Sequence, residues 1–345
     1  MNELYTPDGW LDFEYIFSRG AWLNVIIGAR QVGKTYGVLK LMLSHDFNHI
    51  LLRRTKDEVD TLTASPQLSP YAVFEPEYNI SFFQSGKITR ISDYTSDGAE
   101  KIKEEKPRGF LTSLTQIAHV RGFNGSGYSD VVFDEFIPEK AVIIRKTDGD
   151  ALLNAYTTIN GNRELKGERP LRLWLLANTN NINNPVIDSL NLVDDILMMR
   201  RKGIEEFKSE NDVLIIQPKS RKIIEQRKNT ALMRQVSDKS EFYGMAIDND
   251  FSYDRSPYVK TMPVRGLTPL WNYDNTLYCY ERNFGFYICR ARFTSTARLT
   301  YHATKADRER LYKDFIYMVP YYYAGEIAFA DLRMLTLFKN IFNID

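Results

Sequence analysis

The sequence predicts an α/β protein: a mostly parallel sheet covered on both faces, followed by a smaller α+β unit. Three observations predict it. Short β-branched apolar runs alternate with helix-spaced segments over the first 200 residues, which requires crossover connections and hence parallel strands. One strand–helix junction carries a glycine-containing turn of fixed pattern. From about residue 241 the texture changes to short aromatic strands and a closing helix.

Composition sets the bounds. The chain has 345 residues, 43% of them hydrophobic, and 45 Lys+Arg against 44 Asp+Glu leave a formal charge of +1. Such a balance excludes a disordered tail, a collagen-like repeat and a highly charged nucleic-acid coat. Two cysteines, Cys279 and Cys289, make no disulfide scaffold and read as reduced thiols. No apolar run reaches the length of a membrane span, and the N-terminus lacks a secretory layout, so a soluble intracellular protein is expected. Charge is uneven: Lys219–Lys239 holds seven basic and two acidic residues, and from Asp254 onward 13 basic residues face 9 acidic ones. That surplus suits a polyanion partner or a solvated basic face.

Taken in order, Trp22–Ile27 reads as a buried strand and Lys34–Ser44 as a helix with Val38, Leu41 and Met42 on one face. Ile50–Leu52 is a second strand, and Asn79–Asp93 alternates as a hairpin around Ser85-Gly86-Lys87. Phe110–Leu114, Ser129–Phe133 and Leu171–Ala177 are further strands. Ser220–Val236 reads as a basic helical connector, followed by strands at Thr276–Tyr280 and Gly285–Phe293 and a helix at Ala306–Met318. The expected organisation is a first domain over 1–204, a linker over 205–240 and a second domain over 241–345.

Gly28-Ala29-Arg30-Gln31-Val32-Gly33-Lys34-Thr35 matches G-x-x-x-x-G-K-[ST] between a strand and a helix. Gly28 and Gly33 give the turn clearance and unusual backbone angles. Backbone N–H groups and the helix N-terminus then face a phosphate. Lys34 supplies a charge to the β- and γ-phosphates of ATP, and the Thr35 hydroxyl a Mg²⁺ ligand. Val131-Val132-Phe133-Asp134-Glu135 is an apolar strand ending in two carboxylates. In such a site Asp134 holds the Mg²⁺ shell and Glu135 polarises the attacking water. The long separation from Thr35 leaves room for intervening strands, as in the additional-strand class of P-loop ATPases.

These segments, with Leu51–Glu58 and Val132–Phe136, resemble the genome-packaging ATPases of small podophages, whose motors use a prohead RNA. Leu175–Thr179 is similar to that family's coupling motif, which adds Asn178 to the nucleotide-binding set. Asn162-Arg163-Glu164 resembles the region that carries an arginine finger, and Tyr243-Gly244 with Ile247-Asp248-Asn249 a stretch early in the family's second domain. The resemblance implies a homo-oligomeric ring in the host cytoplasm, docked transiently on the portal vertex of a procapsid and driving double-stranded DNA inward with ATP and Mg²⁺. Portal, procapsid and prohead RNA are its implied partners, with no membrane. It implies an RNase H-like second domain; no carboxylate cluster on strand ends stands out after residue 240, so no nuclease activity is expected. Arg121 falls where the family places a basic residue that reaches the neighbouring subunit's nucleotide, and Arg163 is the second candidate, two residues offset.

Other features stay open at this level. Arg53 and Arg54 end a strand and could meet nucleotide, a neighbouring subunit or DNA. Lys56, Lys101, Lys103 and Lys106 could hold DNA phosphates or be solvated. An Ile288/Arg290/Arg292/Thr294 strand face could grip RNA or the portal, or be an ordinary amphipathic strand. Phe13, Tyr15 and Phe17 could stack on adenine or pack. His45 and His49 lack a third ligand for zinc. Two alternative functions remain: a P-loop helicase or recombinase working without a capsid, and a nucleotide-switched adaptor binding RNA or capsid.

Overall fold

A computed structural model describes the chain except for residues 1–3, 86–87, 98–99, 104–106, 118–124, 139–143, 146, 180–181, 183, 239, 241–242, 245–246, 248–257, 261, 291–298 and 345. It divides into two compact units, Met1–Asp250 and Phe251–Asp345.

The first unit is built on a ten-stranded sheet. Its strands are β1 (Leu23–Ile27), β2 (His49–Arg53), β3 (Ile80–Ser85), β4 (Ile88–Asp97), β5 (Glu100–Lys103), β6 (Gly109–Ser113), β7 (Asp130–Asp134), β8 (Arg172–Ala177), β9 (Glu206–Lys208) and β10 (Val213–Ile216). The order is β3-β4-β6-β2-β7-β8-β1-β10-β9, with β5 paired to β4. From β6 to β10 along this order every pairing is parallel; β4, β5, β3 and β9 attach antiparallel at the edges. All residues of β1 and β7 are buried, as a parallel sheet covered on both faces demands.

The expected Lys34–Ser44 helix has those bounds, and the expected hairpin is the β3–β4 pair, with Ser85 opposite Ile88. The domain boundaries differ from expectation. β9 and β10 lie within the presumed linker, yet β10 pairs with β1 and β9 with β10, so both are strands of the main sheet. The basic connector also belongs to the first unit, because Ile223 joins its core at 3% exposure. That connector is two helices, Arg221–Lys228 and Ala231–Gln235. The Thr230 side chain caps the second by accepting from Met233 N, which breaks the run.

The second unit is α+β. Strands β11 (Thr268–Tyr273), β12 (Leu277–Glu281) and β13 (Phe286–Cys289) form an antiparallel meander. β14 (Leu299–Tyr301) and β15 (Ile327–Phe329) add parallel strands to its two edges. The aromatic surplus packs here: Trp271 lies 5.8 Å from Phe315, and Phe338 4.4 Å from Phe342, between ring centroids. The Cys279 and Cys289 side chains are both buried. Of the strand expected over Gly285–Phe293, β13 covers Phe286–Cys289, with Ile288 and Cys289 both buried. Arg290 follows it and pairs with Asp331 at 3.3 Å; Arg292 and Thr294 lie outside the described residues.

Candidate active site

The glycine-containing turn joins β1 to the Lys34–Ser44 helix. Gly33 is that helix's N-cap, with φ +85°, a conformation costly to any residue with a Cβ. No side chain caps the helix, so its first N–H groups stay available to an anion. Gly28 is needed for a different reason: a Cβ there would lie 2.6 Å from Pro218 Cγ, in the segment after β10. Ala29 and Val32 are buried, whereas Arg30, Gln31 and Gly33 line a cavity of about 390 Å³.

Sheet order decides what else reaches that cavity. β8 runs between β1 and β7, which is the additional-strand arrangement. The ends of all three strands therefore meet at one edge. From β7, Asp134 Oδ1 accepts from Thr35 Oγ1 at 3.0 Å. From just past β8, Asn178 Oδ1 accepts from Lys34 Nζ at 3.0 Å. Glu135 follows with φ +54°, a strained angle of the kind held at functional sites. Its side chain is half exposed and lines the same cavity.

Lys34 Nζ also donates to the carbonyls of Gly28 at 2.9 Å and Ala29 at 2.8 Å. Burial pulls its amine down to about 7; Asp134 and Glu135 oppose that shift, while Arg227 and Arg30 reinforce it. Burial likewise raises the Asp134 carboxyl above its ordinary range, against the opposing pull of Arg53. Both charges are held at a cost that an opposite partner would relieve. The hydroxyl and carboxylate of Thr35 and Asp134 are hard oxygen donors, a pair that suits Mg²⁺ shared with phosphate and water.

A profile of the podovirus DNA encapsidation protein (Gp16) family matches residues 8–265. The chain belongs to that family. The DNA packaging proteins of Bacillus phages phi29 and PZA are each 26% identical to it over 261 residues, covering 74% of this chain and 68% of theirs. The solved phi29 genome packaging motor assembly matches with a TM-score of 0.62 at 20% identity, over 97% of this chain and 99% of that one. The Phi-28 gp11 packaging motor gives 0.58 at 19% identity, over 100% and 99%. These two likenesses show a shared fold. The expected genome-packaging function holds: this is a DNA-packaging protein.

In this encapsidation protein Arg53 is the residue whose role the sequence left open and the structure locates. β2 lies beside β7 with Leu52 opposite Phe133, so Arg53 meets the acidic pair. Its Nη1 is 2.8 Å from Asp134 Oδ2 and its Nη2 2.6 Å from Glu135 Oε2. Arg54 points elsewhere, towards Glu58 at 3.8 Å and Asp148 at 3.5 Å. The only signal in the sequence was an arginine at a strand end, which carries no information about the neighbouring strand.

The remaining candidates are dispersed. Arg163 is engaged within its own chain, donating to the carbonyls of Gly125 (2.8 Å) and Tyr128. Those carbonyls precede the start of β7, whereas Asp134 ends it. Arg121 and Lys106 lie outside the described residues. Lys56 pairs with Asp60 and Lys101 with Glu75. Phe13 packs in the core, Tyr15 donates to Glu206 at 3.0 Å, and Phe17 packs against Phe47. His45 pairs with Glu14 while His49 is buried against Tyr71, so the two histidines share no ligand position. Among the described residues no helix is long and apolar enough to cross a membrane.

Proposed function

We propose that this chain is the ATP-hydrolysing motor subunit that drives double-stranded viral DNA into a procapsid. The observation that carries the reading is the meeting of Lys34, Thr35, Asp134 and Asn178 around one cavity at the N-terminus of a helix. Mg-ATP supplies the phosphoanhydride bond whose hydrolysis drives the motor. The loop N–H groups and Lys34 bind and orient its phosphates, and Thr35 with Asp134 holds the metal. Glu135 takes the proton of the attacking water, positioned by its backbone turn and by Arg53. An adjoining cavity of about 770 Å³ shares Gln31, Gly33 and Tyr36 with the phosphate site and is bordered by Trp10 and Leu11. It suits the base and ribose, with Trp10, Leu11, Phe13 and Tyr36 as aromatic and apolar surface and Asp12, Gln31 and Lys40 among its polar groups.

The finer partners are part of the same proposal: a homo-oligomeric ring at the portal vertex, working in the host cytoplasm with a prohead RNA, and Arg121 as the residue acting on a neighbour's nucleotide. The second unit acts as a vestigial, nuclease-inactive domain that contacts nucleic acid or procapsid. Several of its carboxylates already have structural work, which supports this. Asp331 caps a helix and pairs with Arg290, and Asp314 accepts from Tyr301 Oη at 2.7 Å. The test is an ATP-dependent DNA-protection assay with procapsids bearing or lacking RNA. DNA should become nuclease-resistant only with ATP, procapsid and this protein together. ATP hydrolysis that procapsids leave unstimulated, with no protected DNA, would overturn the reading.

A further inference from the structure

One cation stands at the phosphate site without belonging to either motif. Arg227 lies in the Arg221–Lys228 helix, and its Nη1 donates to the Arg30 carbonyl at 2.6 Å across 197 positions of sequence. Arg30 lines the cavity. It follows directly on Gly28 and Ala29, whose carbonyls receive Lys34 Nζ. A loop lysine of this kind reaches the β- and γ-phosphates. The first half of the turn therefore flanks the outermost phosphates, and Arg227 stands at that end.

The charges there are unbalanced towards an anion. Arg30, Lys34 and Arg227 gather at one end of the turn, and burial, with Arg30 adding to it, lowers the basicity of Arg227. The nearby carboxylates, Asp134 and Glu135, are already bound by Arg53. Gathering like charges in a partly desolvated place is unfavourable unless an anion joins them. The element that delivers Arg227 is also firmly seated. Ile223, on the same helix, is buried in the core, and Pro218, just before it, packs on Gly28.

We propose that Arg227 contacts the terminal phosphate of the nucleotide bound by its own chain, so that the 221–235 segment senses whether the site holds a triphosphate or a diphosphate. This deepens the ATP reading above and rests on it. An arginine that merely docks its helix on the loop would, when removed, weaken every nucleotide alike. An arginine on the outermost phosphate would weaken the triphosphate selectively.

The full chain and its Arg227→Ala and Arg227→Lys variants would be titrated, with Mg²⁺, against fluorescent ATPγS and ADP. Arg227→Ala should weaken ATPγS roughly 10- to 100-fold, the range of a charge-assisted hydrogen bond, and ADP less than about threefold. Arg227→Lys should recover part of the loss. Hydrogen exchange over 221–235 should differ between ATPγS and ADP in the parent chain and not in Arg227→Ala. Equal weakening of both nucleotides, or an unchanged ratio, would overturn the proposal while leaving the ATP site standing. A parent chain that binds neither nucleotide would remove the ATP reading and this proposal with it.

Discussion

Thr35 Oγ1 lies 3.0 Å from Asp134 Oδ1, although 99 positions separate the two residues in the chain. One comes from a helix start, the other from the end of a strand two places away in the sheet, and β8 between them contributes Asn178. A single magnesium ion can therefore be shared by a loop hydroxyl and a strand carboxylate. Asp134→Asn keeps the shape and removes the charge. It should lower nucleotide affinity about tenfold or more in Mg²⁺ and change it little in EDTA, as read by nucleotide titration under both conditions. Equal loss in both would place the metal elsewhere.

Glu135→Gln separates binding from turnover. The variant should bind Mg-ATP close to normally and lose roughly 100- to 10,000-fold in phosphate release, the usual contribution of a general base. Turnover near that of the parent chain would assign the base to another residue.

Arg53 neutralises a pair of carboxylates of which Asp134 is buried. Arg53→Met should destabilise the nucleotide-free protein by roughly 3 kcal/mol, because a buried charge loses its partner. Asp134 already has its carboxyl raised by burial, and losing Arg53 raises it further. A carboxyl whose folded value lies above its unfolded one costs stability as pH rises, so the deficit should shrink on acidification. Denaturant unfolding at neutral and acid pH, with and without Mg²⁺, tests this; a deficit independent of pH would contradict it.

Lys34 provides the second pH dependence. Its amine is held at about 7 in the folded chain, below its ordinary value of 10.5. Between these limits the unfolded chain binds more protons, so stability of the nucleotide-free protein should rise with pH across that window and fall as pH drops through 7. Bound phosphate restores the charged amine. Nucleotide binding at pH 8.5 should therefore take up about one proton, measurable by calorimetry in buffers of different ionisation enthalpy. No uptake would mean that Lys34 is already charged before binding.

Arg121 is tested by mixing subunits. Arg121→Ala and Lys34→Ala chains should each be inactive alone and recover part of the hydrolysis when combined, on the proposal that a guanidinium from one chain serves the site of the next. The same experiment with Arg163→Ala should give no recovery, since Arg163 already holds the Gly125 and Tyr128 carbonyls of its own chain.

What the sequence determined by itself was local stereochemistry and its chemical signature. The phosphate loop, the Asp134/Glu135 strand end, the Lys34–Ser44 helix and the β3–β4 hairpin all follow from short-range periodicity and a few residues of fixed type. Only the tertiary structure decided which strands are neighbours. It set β8 between β1 and β7, placed β2 so that Arg53 faces the acidic pair, and brought Arg227 back onto the loop from beyond β10. It also drew β9, β10 and the basic connector into the first unit, and buried both faces of β13. The reason is physical: strand and helix propensities act over a few residues, whereas strand order and burial are settled by packing the whole core at once.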